Sequence, residues 1–359
     1  MSQPPQSPAG ATQRASTAAP EPPGPLARLA ALGVRHPIMQ AGMSSASGPR
    51  LAGAVSAAGG IGTLGLHDLS VWERVIQDAK TLADGRPLAV NLLLPYTRSR
   101  HVDIVIRQGV AIATLFWGDD VRLIRRLQAH GVFVFQQVGS VAEAHRVLEA
   151  GIDGLIVQGS EAGGHVRARQ PLAALLPEIA SRAAGIPVFA AGGIYRRQDV
   201  TQALRLGADG VCTGTRFLLT PEADIHDAYR DRLLAADRTL LTTLFGFGWP
   251  DLHRVIPNTA TARWCGADGR VPAWLNAMNA AFAFTRKCVP MAPGIAGWQA
   301  PGRPVFSPAF PGPGLRAACV EATALYAGEH IARIRDVIPA AAVVADLARG
   351  VTDHHALPG

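Results

Sequence analysis

Residues 132–159 read VFVFQQVGSVAEAHRVLEAGIDGLIVQG. Two runs that are apolar at successive positions, "VFVF" and "GLIV", flank a segment with helical spacing. That segment opens behind Ser140, whose hydroxyl suits a helix start, and closes on Gly151, which takes a left-handed C-cap without strain. Strands that are apolar at every position are buried on both faces, and that belongs to a parallel sheet covered by helices. The stretch is therefore one strand–helix–strand crossover.

The same unit recurs outward in both directions. Upstream stand "HPIMQAG" with "GPRLAGAVSAAG", "GIGTLG" with "LSVWERVIQDAKTLA", "PLAVNLLL" with "SRHVDIVIRQG", and "VAIATLF" with "DDVRLIRRLQAHG". Downstream come "DGLIVQG" with "PLAALLPEIASRAAG", "IPVFAAGG" with "RRQDVTQALRLG", and "ADGVCTGT" with a helix after Pro221. Gly59, Gly109, Gly131, Gly185 and Gly207 punctuate the helix ends, and Ser70 and Asp119 are further candidate caps. Eight such units in roughly 200 residues close most simply into an α/β (β/α)8 TIM barrel, with a doubly wound open sheet as the alternative.

The rhythm breaks near residue 237. Residues 237–313 are rich in Pro, Gly and Trp and read as an insertion or lid over one barrel mouth, with a helix over "AWLNAMNAAFAFTRK". Residues 314–359 return to helical spacing, in "LRAACVEATALYAGEHIARIRDVI" and "PAAAVVADLARG", and are expected to pack back on the barrel of residues 26–236. Residues 1–25, rich in Pro, Ala, Ser and Gln, read as a disordered tail.

Composition narrows the function classes. The net charge is +7, but the only lysines are Lys80 and Lys287, and the arginines are scattered at helix spacing. No basic block is interleaved with aromatics, which argues against nucleic acid. No apolar run reaches the ~20 residues of a membrane span. Cys212, Cys265, Cys288 and Cys319 have no paired spacing and read as reduced thiols of a cytoplasmic protein.

In a parallel barrel the site lies where the strands end. The residues there are Gln40–Met43, Gly65, Asn91, Phe116–Trp117, Gln136–Gln137, Gln158–Gly159, Gly192–Gly193 and Thr213–Thr215. This rim is nearly uncharged and rich in carboxamides, with His165 close by. It does not suit a metal, because His36, His67 and His165 share no helix face. Carboxamides offer donors and acceptors to a flat heteroaromatic ring. The loops after strands seven and eight, "AAGGI" and "TGT", have the bare main chain that grips phosphate in such barrels. One phosphate there, with a ring reaching Asn91 and Met43, describes FMN. "GGIGTLG" at 59–65 outlines a dinucleotide loop but opens no helix, so it reads as a helix cap and close packing.

Six segments carry a resemblance: "HPIMQAGM", "AVNLLLP", "VQGSEAGGH", "AAGGI", "LGADGVCTGTRFL" and "YAGEHIARIRDVIPAAAVVADL", spanning roughly 36–220 and 320–348. The chain resembles the nitronate monooxygenases, formerly 2-nitropropane dioxygenases, which are FMN-dependent TIM barrels. The resemblance implies cofactor contacts at Met39, Gln40, Ala41, Asn91, Gln158, Gly163, Gly164, Gly192, Gly193, Cys212, Thr213, Gly214 and Thr215. It implies that His165 is the base or the substrate-orienting group. Glu161 reads as a helix-start or loop-anchoring carboxylate. The stretch 237–313 is longer and richer in Pro and Trp than the family's usual insertion. Cys212 replaces a common carboxamide in the phosphate loop, a change that a main-chain role tolerates.

The implied activity is oxidation of alkyl nitronates by O2 to a carbonyl compound and nitrite. An NAD(P)H-using flavin reductase on the same barrel, of the enoyl-carrier-protein or quinone type, is the alternative. A non-catalytic phosphometabolite- or flavin-binding protein is a third reading. The expected partners are a small-molecule substrate and O2, with no metal, nucleic acid or membrane; a homodimer is left open.

Overall fold

The computed structural model describes residues 24–183, 185–283 and 296–355. Residues 1–23 of the expected tail, Cys288, and the end of the helix read over 273–287 lie outside the described residues. Eleven strands are present among the described residues: β1 Ile38–Gln40, β2 Gly62–Leu64, β3 Leu88–Leu93, β4 Ile112–Phe116, β5 Phe133–Val138, β6 Gly154–Gln158, β7 Gly164–His165, β8 Val188–Ala191, β9 Gly210–Thr213, β10 Leu240–Thr242 and β11 His253–Val255.

Eight of them form one parallel sheet in the order β1-β9-β8-β6-β5-β4-β3-β2. The sheet closes on itself. Met39 bridges Ile61, Gln40 N–H donates to Ile61 O at 3.0 Å, and Ile61 N–H donates to Ile38 O at 2.8 Å. The fold is thus a (β/α)8 barrel and not an open sheet.

Inward-facing side chains fill the barrel at alternate positions along each strand. Phe133 lies against Phe135 at 5.0 Å, and Phe135 against Phe189 at 5.1 Å, between ring centres. Gly154 makes room for this stack: a Cβ there would come within 2.5 Å of the Phe135 ring. The short helix Ala27–Ala31 adds Leu29 to the same cluster. Aromatic bulk therefore fills the interior below, and the remaining space lies where the strands end.

The glycines of 59–65 act by close approach. A Cβ at Gly62 would sit 1.8 Å from Ala52 O, and one at Gly65 would sit 1.9 Å from Ser44 O. Two helix starts differ from expectation by one or two residues. Helix Leu69–Leu82 begins behind Asp68 instead of Ser70. Helix Val121–Ala129 is capped by Asp120, not Asp119, and the Asp120 carboxylate accepts from Leu123 N–H at 3.0 Å. Ser140 does accept from Glu143 N–H, at 3.3 Å.

The eighth outer helix is not the one after Pro221. Helix Ala340–His355 packs between helix Arg197–Arg205 and helix Pro49–Ala57. Thr201 Oγ1 donates to Gly350 O at 2.9 Å, and a Cβ at Gly350 would come within 2.3 Å of Arg197 O. The helical spacing read over 315–338 also yields little helix, only Ala317–Val320 and a 3-10 turn at Glu329–Arg333. Tyr326, between these, bridges Val255, and Leu325, Ala327, Ile331 and Ile334 pack on helix Asp227–Ala235. Long-range burial of those apolar residues overrides the local period.

Beyond the barrel, β10 and β11 form an antiparallel pair, and β11 pairs with β7, which sets His253 opposite His165. Among the described residues no helix is long and apolar enough to cross a membrane.

Candidate active site

A cavity of about 630 Å³ opens at the C-terminal ends of the barrel strands. That volume falls in the range of small-molecule and cofactor sites. Met39, Ile156 and Cys212 line its floor, and Asn91, Thr114, Gln137 and Gln158 add polar groups. Phe247, Trp249, Ser307 and Phe310 enclose it from the stretch 237–313. Tyr326, Gly328 and His330 enclose it from the C-terminal segment.

Of the thirteen residues implied as cofactor contacts, twelve line this cavity. Gln40 is the exception. It is fully buried, its Nε2 donates to Ser47 Oγ at 2.8 Å, and its Oε1 accepts from Thr63 N–H at 3.1 Å. Its carboxamide ties β1 to β2 and leaves nothing for a ligand. Gln158 is partly committed: Nε2 donates to His165 O at 3.0 Å, and Oε1 accepts from Arg167 N–H at 2.8 Å. That carboxamide pins the 158–167 loop.

Asn91 is the opposite case. Thr114 Oγ1 donates to its Oδ1 at 3.1 Å, which orients the amide and leaves its Nδ2 donors for a ligand. A Cβ at Gly42 would come within 2.3 Å of the Asn91 Cβ, so glycine there is what admits the Asn91 side chain. A Cβ at Gly163 would sit 2.6 Å from Gly328 N, so bare backbone lets the C-terminal segment reach the loop. Gly192 and Gly193 have φ of +120° and +71°, the left-handed region that favours glycine. Burial pushes the Cys212 thiol up to about 12, so it lines the floor as a neutral group. Glu161 accepts from Leu172 N–H with both oxygens, at 3.1 and 3.0 Å, and so anchors the start of helix Leu172–Ala180.

His165 sits in an aromatic box. Its ring stacks on Trp249 with centres 4.0 Å apart, and Trp117 meets it edge-on at 6.0 Å. Tyr326 lies 5.6 Å away and His253 only 4.5 Å away. Nε2 is sealed without a hydrogen-bond partner. His165 nevertheless lines the cavity, and its Nδ1 is not among the sealed, unpartnered atoms. Burial, and then the neighbouring His253, hold this imidazole well below the usual histidine range, so it rests uncharged.

Sequence reasoning missed His253, Trp249, Tyr326 and His330. His253 and Trp249 fall in the stretch read as an insertion or lid over the barrel mouth, and no local pattern predicts that β11 pairs with β7. Tyr326 and His330 fall in a segment read as plain helix. No group of three or more His, Cys, Asp or Glu able to hold a metal occurs among the described residues.

A family model described as nitronate monooxygenase matches residues 27–99 and 96–350. The chain is 39% identical over 209 residues to the (3aS,4S,5R,7aS)-5-hydroxy-7a-methyl-1-oxo-octahydro-1H-indene-4-carboxyl-CoA dehydrogenase of Rhodococcus jostii, covering 57% of this chain and 58% of that one. It is 38% identical over 241 residues to the Mycobacterium tuberculosis protein of the same name, covering 65% of each. The match thus spans less than two thirds of either dehydrogenase. A probable nitronate monooxygenase of Staphylococcus aureus is 29% identical over 256 residues, covering 58% of this chain and 72% of that one. Among solved structures, FabK from Thermotoga maritima superposes with a TM-score of 0.72 at 26% identity, covering 92% of this chain and 96% of that one. Nitroalkane oxidase from Streptomyces ansochromogenes gives 0.70 at 26% identity, covering 91% and 98%.

Proposed function

The chain belongs to the nitronate monooxygenase family, and from that membership we propose that it is an FMN-dependent oxidoreductase acting on alkyl nitronates. The cavity residues fit such a cofactor. Asn91 presents amide donors, and Met39 and Ala41 would flank the ring. Gly192–Gly193 and Gly214–Thr215, which line the same cavity, would form a side-chain-poor cradle for the phosphate. The bound flavin would supply the electron sink and the reaction with O2.

The observation that carries the reading is the His165 ring at the cavity wall, boxed by Trp249, Trp117 and His253, whose burial disfavours its charged form. A ring held well below 6.5 is a weak base, poorly matched to pulling a proton from a neutral nitroalkane. A nitronate arrives already deprotonated. Its charge beside the ring opposes the lowering that burial and His253 impose. His165 Nδ1 then holds the anion by a charge-assisted hydrogen bond. Trp249 and Trp117 hold the ring in place, and the aromatic walls exclude water from the anion.

Anaerobic reduction of the bound flavin tests this. Propyl-2-nitronate should bleach it quickly, and 2-nitropropane at neutral pH much more slowly. Bleaching by NADH or NADPH and not by the nitronate would overturn the reading in favour of a reductase. A second reading comes from the identity with the two carboxyl-CoA dehydrogenases and from the apolar, aromatic walls: a cyclic carboxyl-CoA thioester as electron donor. Bleaching by such a thioester and not by the nitronate would select it.

A further inference from the structure

We propose that His330 is a ligand of the cofactor's phosphate, an inference that rests on the FMN reading above. Three consecutive residues of the C-terminal segment each fasten a different barrel loop. Gly328 N–H donates to Thr215 Oγ1 at 2.9 Å, and Glu329 N–H donates to Glu161 O at 3.0 Å. His330 Nδ1 lies 2.7 Å from Gly193 O. These partners follow β9, β6 and β8. The segment is therefore a staple across the two loops assigned to phosphate and the loop that leads to His165.

The staple also brings a basic side chain. Among the described cavity-lining residues only His165, His330 and Arg316 have basic side chains. His165 is boxed by aromatic rings. Arg316 donates to Gly297 O at 2.9 Å. His330 alone lies against Gly193, where a Cβ would come within 3.0 Å of both its Cε1 and its Nδ1. Glycine at 193 thus serves the imidazole as well as the turn.

The protons follow from the contact. A carbonyl oxygen only accepts, so Nδ1 carries the hydrogen toward Gly193 O. Nε2 remains for a ligand, and it can donate to a phosphate oxygen only when the ring is doubly protonated. In that form the contact with a phosphate oxygen is a charge-assisted hydrogen bond. The neighbouring acidic groups do not compete. Glu161 is held by Leu172 N–H, and Glu329 lies 3.4 Å from the Arg254 guanidinium. Tyr195 contributes an aromatic edge, its ring centre 6.2 Å away.

The test compares FMN with riboflavin, which lacks the phosphate, by quenching of flavin fluorescence on titration with apoprotein. In His330→Asn the amide can still reach Gly193 O but nothing stands at the Nε2 position. The FMN Kd should rise roughly ten- to a hundred-fold, as for loss of one charged hydrogen bond, with the riboflavin Kd unchanged. His330→Gln, with an uncharged amide nearer the Nε2 position, should fall between Asn and wild type. An unchanged FMN Kd would overturn the assignment. Equal losses for both flavins would also overturn it, since they would mean that the ring only shapes the loop. A wild-type protein that binds neither flavin would remove this inference together with the cofactor reading. Failure of nitronate to reduce bound FMN would remove the proposed function and leave this result standing.

Discussion

Acid should attack this fold through the histidine pair above the barrel. Tyr326 Oη donates to Pro308 O at 2.9 Å, so its proton is taken. The 3.1 Å contact between His253 Nδ1 and the same hydroxyl must then be donated by the imidazole. That fixes the bare nitrogen of His253 as Nε2, which is buried without a partner. A second proton would place a charge there away from water, and burial, opposed in smaller part by the Trp249 main chain, lowers this histidine from 6.5 to about 4. The sign follows from linkage. Below 6.5 the unfolded chain takes up a proton that the folded chain refuses until about 4, so stability is full above the upper value and drains as pH falls between the two. From pH 7 to pH 5 His253 alone costs the fold about 2 kcal/mol. His165, shifted the same way, adds to the loss. Urea unfolding followed by tryptophan fluorescence at the two pH values measures the drop. His253→Gln, which cannot titrate, should be less stable at pH 7 but lose about 2 kcal/mol less on acidification. Equal acid losses in wild type and variant would refute the reasoning. So would an NMR signal from the His253 ring that titrates near 6.5.

Three further substitutions probe the site and its scaffold. His165→Asn should keep FMN but slow flavin reduction by nitronate about a hundredfold, and an undiminished rate in stopped flow would remove its role. Asn91→Ala should raise the FMN Kd about ten-fold by deleting the amide donors that Thr114 orients; unchanged flavin retention on dialysis would contradict that contact. Gly154→Ala drives a Cβ to 2.5 Å from the Phe135 ring and should cost roughly 1–3 kcal/mol; an unaltered unfolding midpoint would show that the barrel interior yields more easily than its packing suggests.

The strand–helix rhythm specified the barrel because each unit encodes its own period and punctuation. Ser140 and Gly151 bound one helix locally, and runs such as "GLIV" can only be buried on both faces. The floor and rim of the site were legible for the same reason: residues that end parallel strands must share one mouth, which gathered Asn91, Gly193 and Thr215 from distant parts of the chain. What the chain placed across that mouth was decided only by tertiary structure. Pairing of β11 with β7 set His253 and Trp249 around His165 and made it a neutral group. The segment 321–334 gave up its helical period because its apolar side chains found burial on helix Asp227–Ala235, and this brought His330 to Gly193. Even Gln40, whose place at the end of a strand pointed to the ligand, was turned inward by Ser47 and Thr63. Local periodicity fixes what a segment buries against its own neighbours in the chain. Which distant surface it meets depends on contacts that a linear pattern does not contain.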